Sequence, residues 1–170
     1  MAGLLKRPEA PIAFRKGPML KDHFQVAYVT NDLDRATEVF GERFGITRYS
    51  YIDGETPDGG TIRVAFAWVG GTMYEIIDCK EPVPGFYTAR LPANEFAIRM
   101  HHLGYLLHDR ASWDAVEREI AESGTPVAFR TVNPGFIDAV YIDAPELGHY
   151  LEYIYPEAGG VQFFEAIPVN

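Results

Sequence analysis

This chain is nearly without cysteine. Cys79 is the single one, so no disulfide can close within the chain, and a reducing compartment, the cytoplasm, is the expected location. Long hydrophobic runs are missing as well. Nothing approaches the roughly 20 consecutive apolar residues that span a bilayer, and no membrane partner is expected. Positive charge is scarce: 15 lysines and arginines stand against 24 aspartates and glutamates, a formal charge of -9. Nucleic-acid binding needs Lys and Arg to displace phosphate counterions, so this balance argues against it. Residues 1–21 hold Lys6, Arg7, Arg15 and Lys16 but no long apolar core. They read as a mildly basic N-terminal arm and not as a signal peptide.

What is present is apolar and aromatic, 47% and 14% of 170 residues. That suffices for one compact body, or for two small units sharing a core. The second option is the one the residues favour, because the chain repeats itself. Gly71-Thr72-Met73-Tyr74-Glu75 and Gly148-His149-Tyr150-Leu151-Glu152 share a Gly-x-x-x-Glu frame 77 residues apart. Gln25 and His102 keep the same offset, as do Asp32 and Asp109. Four matched positions at one offset indicate a single supersecondary unit used twice.

Periodicity gives that unit its form. Residues 23–30 alternate as a strand. Asn31 or Asp32 then caps a helix to Phe44, with Leu33, Ala36, Phe40 and Phe44 as its apolar stripe and Gly45 as its stop. Strands follow at 46–52, 61–69 and 72–78, separated by Gly and Pro turns. The second half repeats the order: strand 99–108, helix from Asp109 to Ser123 with Trp113, Val116 and Ile120 inward, a stop at Gly124, and strands 127–132, 137–142 and 149–155. The predicted organisation is an arm (1–21), a first βαβββ module (22–79), a linker (80–98), a second βαβββ module (99–156) and a tail (157–170). The linker carries Phe86, Tyr87 and Leu91, which read either as the anchors of a loop or as the roof of a pocket. The tail carries Val161, Phe163, Phe164, Ile167 and Val169, too apolar for a disordered end, and is expected to pack on the body or on another subunit.

The predicted fold class is α+β: two tandem modules forming a cupped, barrel-like mixed sheet around a metal-centred cavity. One helix covers one face of each small sheet, so the other face encloses a space. Four polar side chains at repeat positions point there: Gln25, Glu75, His102 and Glu152. A carboxylate inside a strand rich in Ile, Leu and Tyr is costly unless paired or metal-bound. An amide oxygen, an imidazole and two carboxylates suit Zn, Ni, Co, Mn or Fe better than Ca, and the lack of thiolate disfavours a structural zinc site. Four protein ligands on a six-coordinate metal leave two positions for water or substrate. Chemistry on a carbonyl follows, in which the metal polarises the oxygen and a carboxylate removes the adjacent proton. By strand alternation His101 should face away from His102 and His149 away from Glu152, whereas His23 shares the face of Gln25. Arg63, Arg130, Tyr141 and Tyr150 are candidates for substrate contact.

The paired modules resemble the vicinal oxygen chelate superfamily, which includes glyoxalase I, methylmalonyl-CoA epimerase, extradiol dioxygenases and bleomycin-resistance proteins. The resemblance covers about residues 22–156 and rests on the segment from Gln25 to Asp34, on His102-Leu103-Gly104-Tyr105 followed by Asp109, and on the two Gly-x-x-x-Glu ends. It implies metal ligands at Gln25, Glu75, His102 and Glu152. It further implies a metal-dependent lyase or isomerase that enolises a small carbonyl or acyl compound, with Glu152 or Glu75 as the catalytic base, and a homodimer. The Gln/Glu/His/Glu order resembles glyoxalase I of the eukaryotic kind, without its basic residues for glutathione carboxylates. Gln25 at the first position, in place of histidine, disfavours ring-cleaving iron chemistry. A metal-free small-molecule binder of the bleomycin-resistance kind is the alternative.

Overall fold

A computed structural model describes residues 22–56 and 58–170; the expected arm at 1–21 lies outside them. The first half runs β1 (His23–Thr30), α1 (Leu33–Phe44), β2 (Ser50–Glu55), β3 (Thr61–Val69) and β4 (Thr72–Lys80). A short helix, α2 (Gly85–Thr88), interrupts the connection between halves. The second half runs β5 (Ile98–Leu106), α3 (Arg110–Ser123), β6 (Val127–Val132), β7 (Ile137–Ala144) and β8 (His149–Pro156), and α4 (Ala158–Ala166) follows. Among the described residues no helix is long and apolar enough to cross a membrane.

The repeat is visible in how each helix starts and stops. Asp32 and Asp109 each occupy the N-cap, where the carboxylate accepts from the backbone N–H three residues on, Arg35 at 3.0 Å and Ser112 at 2.6 Å. Each cap of this kind is worth about 1 kcal/mol. Gly45 and Gly124 end the helices with φ of 75° and 66°, a left-handed conformation that a Cβ penalises.

The eight strands of the described residues join one sheet in the order β2-β3-β4-β1-β5-β8-β7-β6. The two modules meet at the antiparallel β1–β5 pair, and each first strand lies parallel to the last strand of its own module, β1 beside β4 and β5 beside β8. The modules thus pair within one chain. Helix α1 covers one face of the first module through Leu33, Ala36 and Phe40 against Ala65, Ala67 and Ile76. Helix α3 does the same for the second, with Trp113, Val116 and Ile120 against Tyr105, Val140 and Tyr153. The opposite face of the sheet forms the cup.

Two local expectations are corrected, and the packing of the tail is as expected. Phe44 stays 66% exposed although it sits on the predicted stripe, because Gly45 turns the chain directly after it and Phe40 alone fills the space at the sheet. The second strand starts at Ser50 and not at residue 46. Ile46 is buried beside Phe40, and the amides of Thr47 and Arg48 both bond the Asn170 side chain at 2.9 Å, so the C-terminus takes donors that a strand would offer to β3. The tail is a helix that packs on the body. Phe163 meets Phe66 edge-on at 5.2 Å, Phe164 meets Phe24 at 5.7 Å, and Trp68 Nε1 donates to the Phe164 carbonyl at 2.9 Å. Helix α4 therefore closes part of the cup.

Candidate metal centre

Strand register brings the four predicted side chains together on the four central strands of the sheet, the first and last strand of each module. One row across the sheet reads Glu75 (β4), Ala27 (β1), His102 (β5). The next reads Gln25 (β1), Gly104 (β5), Glu152 (β8). Ala27 and Gly104 are themselves repeat partners, 77 residues apart. Each is the small residue in the middle of its row, and the larger side chains lean over it. At Gly104 even a methyl is too much, since an added Cβ would lie 2.3 Å from Gln25 Oε1 and 2.9 Å from Gln25 Cβ.

The four side chains are buried: Gln25 2%, Glu75 8%, His102 0% and Glu152 4% exposed. His102 Nε2 lies 2.8 Å from Glu152 Oε2 and 3.2 Å from Glu75 Oε2. Gln25 Nε2 donates to Glu75 Oε2 at 2.8 Å. One ligand atom each from Glu75, His102 and Glu152 lies within 4.8 Å of the others. His102 Nε2 and Glu152 Oε2 are close, yet neither completes an aligned hydrogen bond; the nitrogen points between the two carboxylates, as atoms converging on a common point do. Gln25 Oε1 is also without a partner. A half-turn of its amide would bring that oxygen round to the carboxylates.

Two buried carboxylates facing one imidazole make an electrostatically unbalanced set. Among the described ion pairs His102 is the only partner of either glutamate. Burial raises the Glu75 carboxyl above the usual carboxylate range, against the opposing pull of His102. For His102 burial is the largest single influence and acts to lower its pKa, but the combined attraction of Glu152 and Glu75 outweighs it and lifts the value to about 9. The site thus favours positive charge and carries little of its own. The donors are hard oxygens plus an imidazole, and the charge of two glutamates matches that of a divalent ion. Glu75, His102 and Glu152 fit such an ion, with Gln25 adjacent.

His101 contradicts strict alternation. It is fully buried, and its Nδ1 lies 2.8 Å from His102 Nδ1. The reason is a bulge: Ala27 pairs with His102 and Tyr28 with Met100, so His101 is an extra residue on β5. A bulge re-aims the side chain it carries. The same device occurs at Phe24 on β1, between the pairs His23–Tyr105 and Gln25–Gly104. Phe24 and His101 are again 77 residues apart, so the duplication includes its irregularity. The β1 bulge turns Phe24 into the cup against Trp68 and Phe164, and His23, expected beside Gln25, instead packs at a tilt on Tyr105 on the α3 side. No pattern of residue types marks either bulge in advance. His149 is held at its own end of β8, Nδ1 with the Tyr150 carbonyl at 2.8 Å.

The linker roofs this end of the cup. Phe86 on α2 packs on Phe129, Tyr141 and His101 at 5.1, 4.8 and 4.6 Å, and its carbonyl meets His101 Nε2 at 3.1 Å. Beside α4 lies a cavity of about 190 Å³, where Gln25, Glu75 and Glu152 face Phe66, Tyr141 and Phe163. Of the residues expected to meet a substrate, Tyr141 lines this cavity. Tyr150 packs under Phe86. Arg63 pairs with Asp34 and Asp53, and Arg130 with Glu117, all partly or fully exposed.

No protein-family model and no curated protein matches the chain. Solved structures do. A Streptomyces coelicolor methylmalonyl-CoA epimerase variant in complex with 2-nitronate-propionyl-CoA superposes with a TM-score of 0.60 at 16% identity, covering 82% of this chain and 97% of that one. Methylmalonyl-CoA epimerase from Mycobacterium tuberculosis gives 0.55 at 16% identity, over 85% and 92%. A hypothetical protein from Bacillus halodurans C-125 gives 0.58 at 12% identity, over 82% and 96%. With its paired modules, its single curled sheet and these neighbours, the chain has the fold of the vicinal oxygen chelate superfamily.

Proposed function

We propose that this chain is a metal-dependent lyase or isomerase that enolises a small carbonyl or acyl compound. The observation carrying the proposal is the convergence of Glu75, His102 and Glu152 in a buried cup that opens on a 190 Å³ cavity. A divalent metal held by these residues, with Gln25 beside them, would polarise a substrate oxygen and acidify the neighbouring C–H. Glu75 is tethered through Gln25. Glu152 has no such tether; its Oε2 lies 2.8 Å from His102 Nε2 without completing a hydrogen bond, and it lines the cavity, so it is the carboxylate that would take the proton. The apolar walls hold the carbon part of the substrate and keep water off the exposed carbanion face. A cytoplasmic homodimer belongs to the same reading. It is supported by the buried free thiol of Cys79 and by the edge strands β2 and β6, which leave backbone groups open to a second copy.

The experiment has two arms. Protein stripped with chelator and titrated with Zn, Ni, Co or Mn should take up one ion per chain by elemental analysis. Loaded protein should exchange the α-hydrogens of short ketones or acyl thioesters with deuterated water. Glu152→Gln should keep its fold and lose exchange by about 100-fold or more, the contribution of a positioned base. Full exchange in that variant removes Glu152 from the role. Failure of the wild type to take up any metal leaves a small-molecule binding protein in its place.

A further inference from the structure

The hydrogen bonds behind His102 assign every ring hydrogen in turn. The Phe86 carbonyl can only accept, so His101 Nε2, 3.1 Å away, bears a hydrogen. Between His101 Nδ1 and His102 Nδ1, 2.8 Å apart, there is room for one hydrogen. His101 is fully buried and boxed by Phe86, Tyr87 and Tyr150, at ring separations of 4.6, 5.9 and 5.1 Å. No carboxylate is among its described hydrogen-bond partners. A second hydrogen on that ring would bury a charge with nothing to pair it. His101 is therefore neutral, carries its hydrogen on Nε2 and accepts at Nδ1. The shared hydrogen belongs to His102 Nδ1, which leaves His102 Nε2 as the nitrogen facing Glu75 and Glu152.

Resting on the metal-centre reading above, we infer that His101 is a positioning residue that fixes the tautomer of His102, so that Nε2 is its metal-binding atom, and links that ligand through the Phe86 carbonyl to the roof turn α2. A ligating histidine commonly donates its other N–H to a carboxylate or a carbonyl. Here the acceptor is a second histidine, and the choice follows from charge. Glu75 and Glu152 already match a divalent ion, and a third carboxylate in contact with the set would leave it one charge too negative. A neutral imidazole orients His102 without adding charge. The β5 bulge makes the arrangement reachable, because an unbulged strand would send His101 to the α3 side.

Two substitutions separate this role from packing. His101→Phe fills the aromatic box but cannot accept a hydrogen bond. His101→Asn fills it poorly but sets Oδ1 near the position of Nδ1, where it can accept from His102. By competition with a chromophoric chelator, zinc affinity of His101→Phe should fall about 10- to 100-fold, whereas His101→Asn should recover most of the loss despite melting at a lower temperature. A packing role predicts the opposite order, and that order overturns the inference. Long-range proton–nitrogen spectra of the zinc-loaded wild type should show His102 protonated on Nδ1 and bound through Nε2; the reverse pattern also overturns it. Zinc uptake by the wild type with equal affinity in His101→Phe overturns this assignment alone. A wild type that takes up no zinc overturns the metal reading itself, and this assignment falls with it.

Discussion

Replacing Gly104 by alanine tests the geometry of the site without touching any candidate ligand. The new methyl would fall 2.3 Å from Gln25 Oε1 and 2.9 Å from Gln25 Cβ. The amide end can swing aside, but Cβ is fixed to β1 and cannot retreat without moving a strand that is paired on both sides, to β4 and to β5. Overpacking of this kind costs about 1–3 kcal/mol. For a chain of this size that is a drop in Tm of roughly 3–10 °C. Gln25 is held by its hydrogen bond to Glu75, so displacing it also loosens that carboxylate, and metal affinity should fall with stability. The test is a double-mutant cycle followed by thermal or urea unfolding. Gln25→Gly alone loses a buried hydrogen bond, about 1 kcal/mol, some packing, and about 0.5–1 kcal/mol of backbone entropy. In Gly104→Ala/Gln25→Gly neither Oε1 nor Cβ remains for the added methyl to strike, so the pair should be more stable than the sum of the single losses by about 1 kcal/mol or more. Additivity within about 0.5 kcal/mol would refute the claim that Gly104 exists to seat Gln25.

Stability of the metal-free protein should fall as pH rises from 6.5 to 9. His102 has a folded pKa of about 9 against about 6.5 unfolded. A raised pKa contributes stability that is complete below the unfolded value and lost as pH climbs through the folded one, here on the order of 3 kcal/mol. His101, lowered to about 3 by burial and then by His102, acts below pH 6.5 and leaves that window clear. Because metal replaces the His102 proton, zinc uptake should tighten about tenfold per pH unit over the same range; melting curves and chelator competition at pH 6, 7.5 and 9 check both, and a flat profile refutes the pairing of His102 with the two glutamates. Phe163→Ala should cost about 1–3 kcal/mol, less than a fully buried phenylalanine because the ring is half-buried. It should also widen the cavity beyond 190 Å³ and admit longer acyl groups in the exchange assay; an unchanged chain-length profile would mean that α4 does not bound the substrate.

Much of the site was legible because duplication writes a long-range contact as a sequence offset. Gln25 with His102, and Glu75 with Glu152, announce themselves by spacing, and the superposition symmetry of two modules turns equal spacing into convergence. The helix caps were legible for a different reason: Asp32 and Asp109 act on amides three residues away, within reach of local pattern. Three features escaped because their causes lie far along the chain. The late start of β2 depends on Asn170. The seating of α4 depends on Phe24, Phe66 and Trp68. The placing of His101 beside His102, and of His23 away from Gln25, depends on how β1 and β5 slip against each other.

Amino-acid order alone determined the repeat, the alternation of strands and helices within it, and which polar residues lie at equivalent positions, since all of these are set by contacts within one module or by copying it. Which neighbours those residues acquire was decided only when the modules joined. Backbone hydrogen bonding across β1 and β5 leaves one extra residue on each strand, and that slippage, a property of two strands and not of either, turned a histidine expected on the far face into the partner of the ligand beside it.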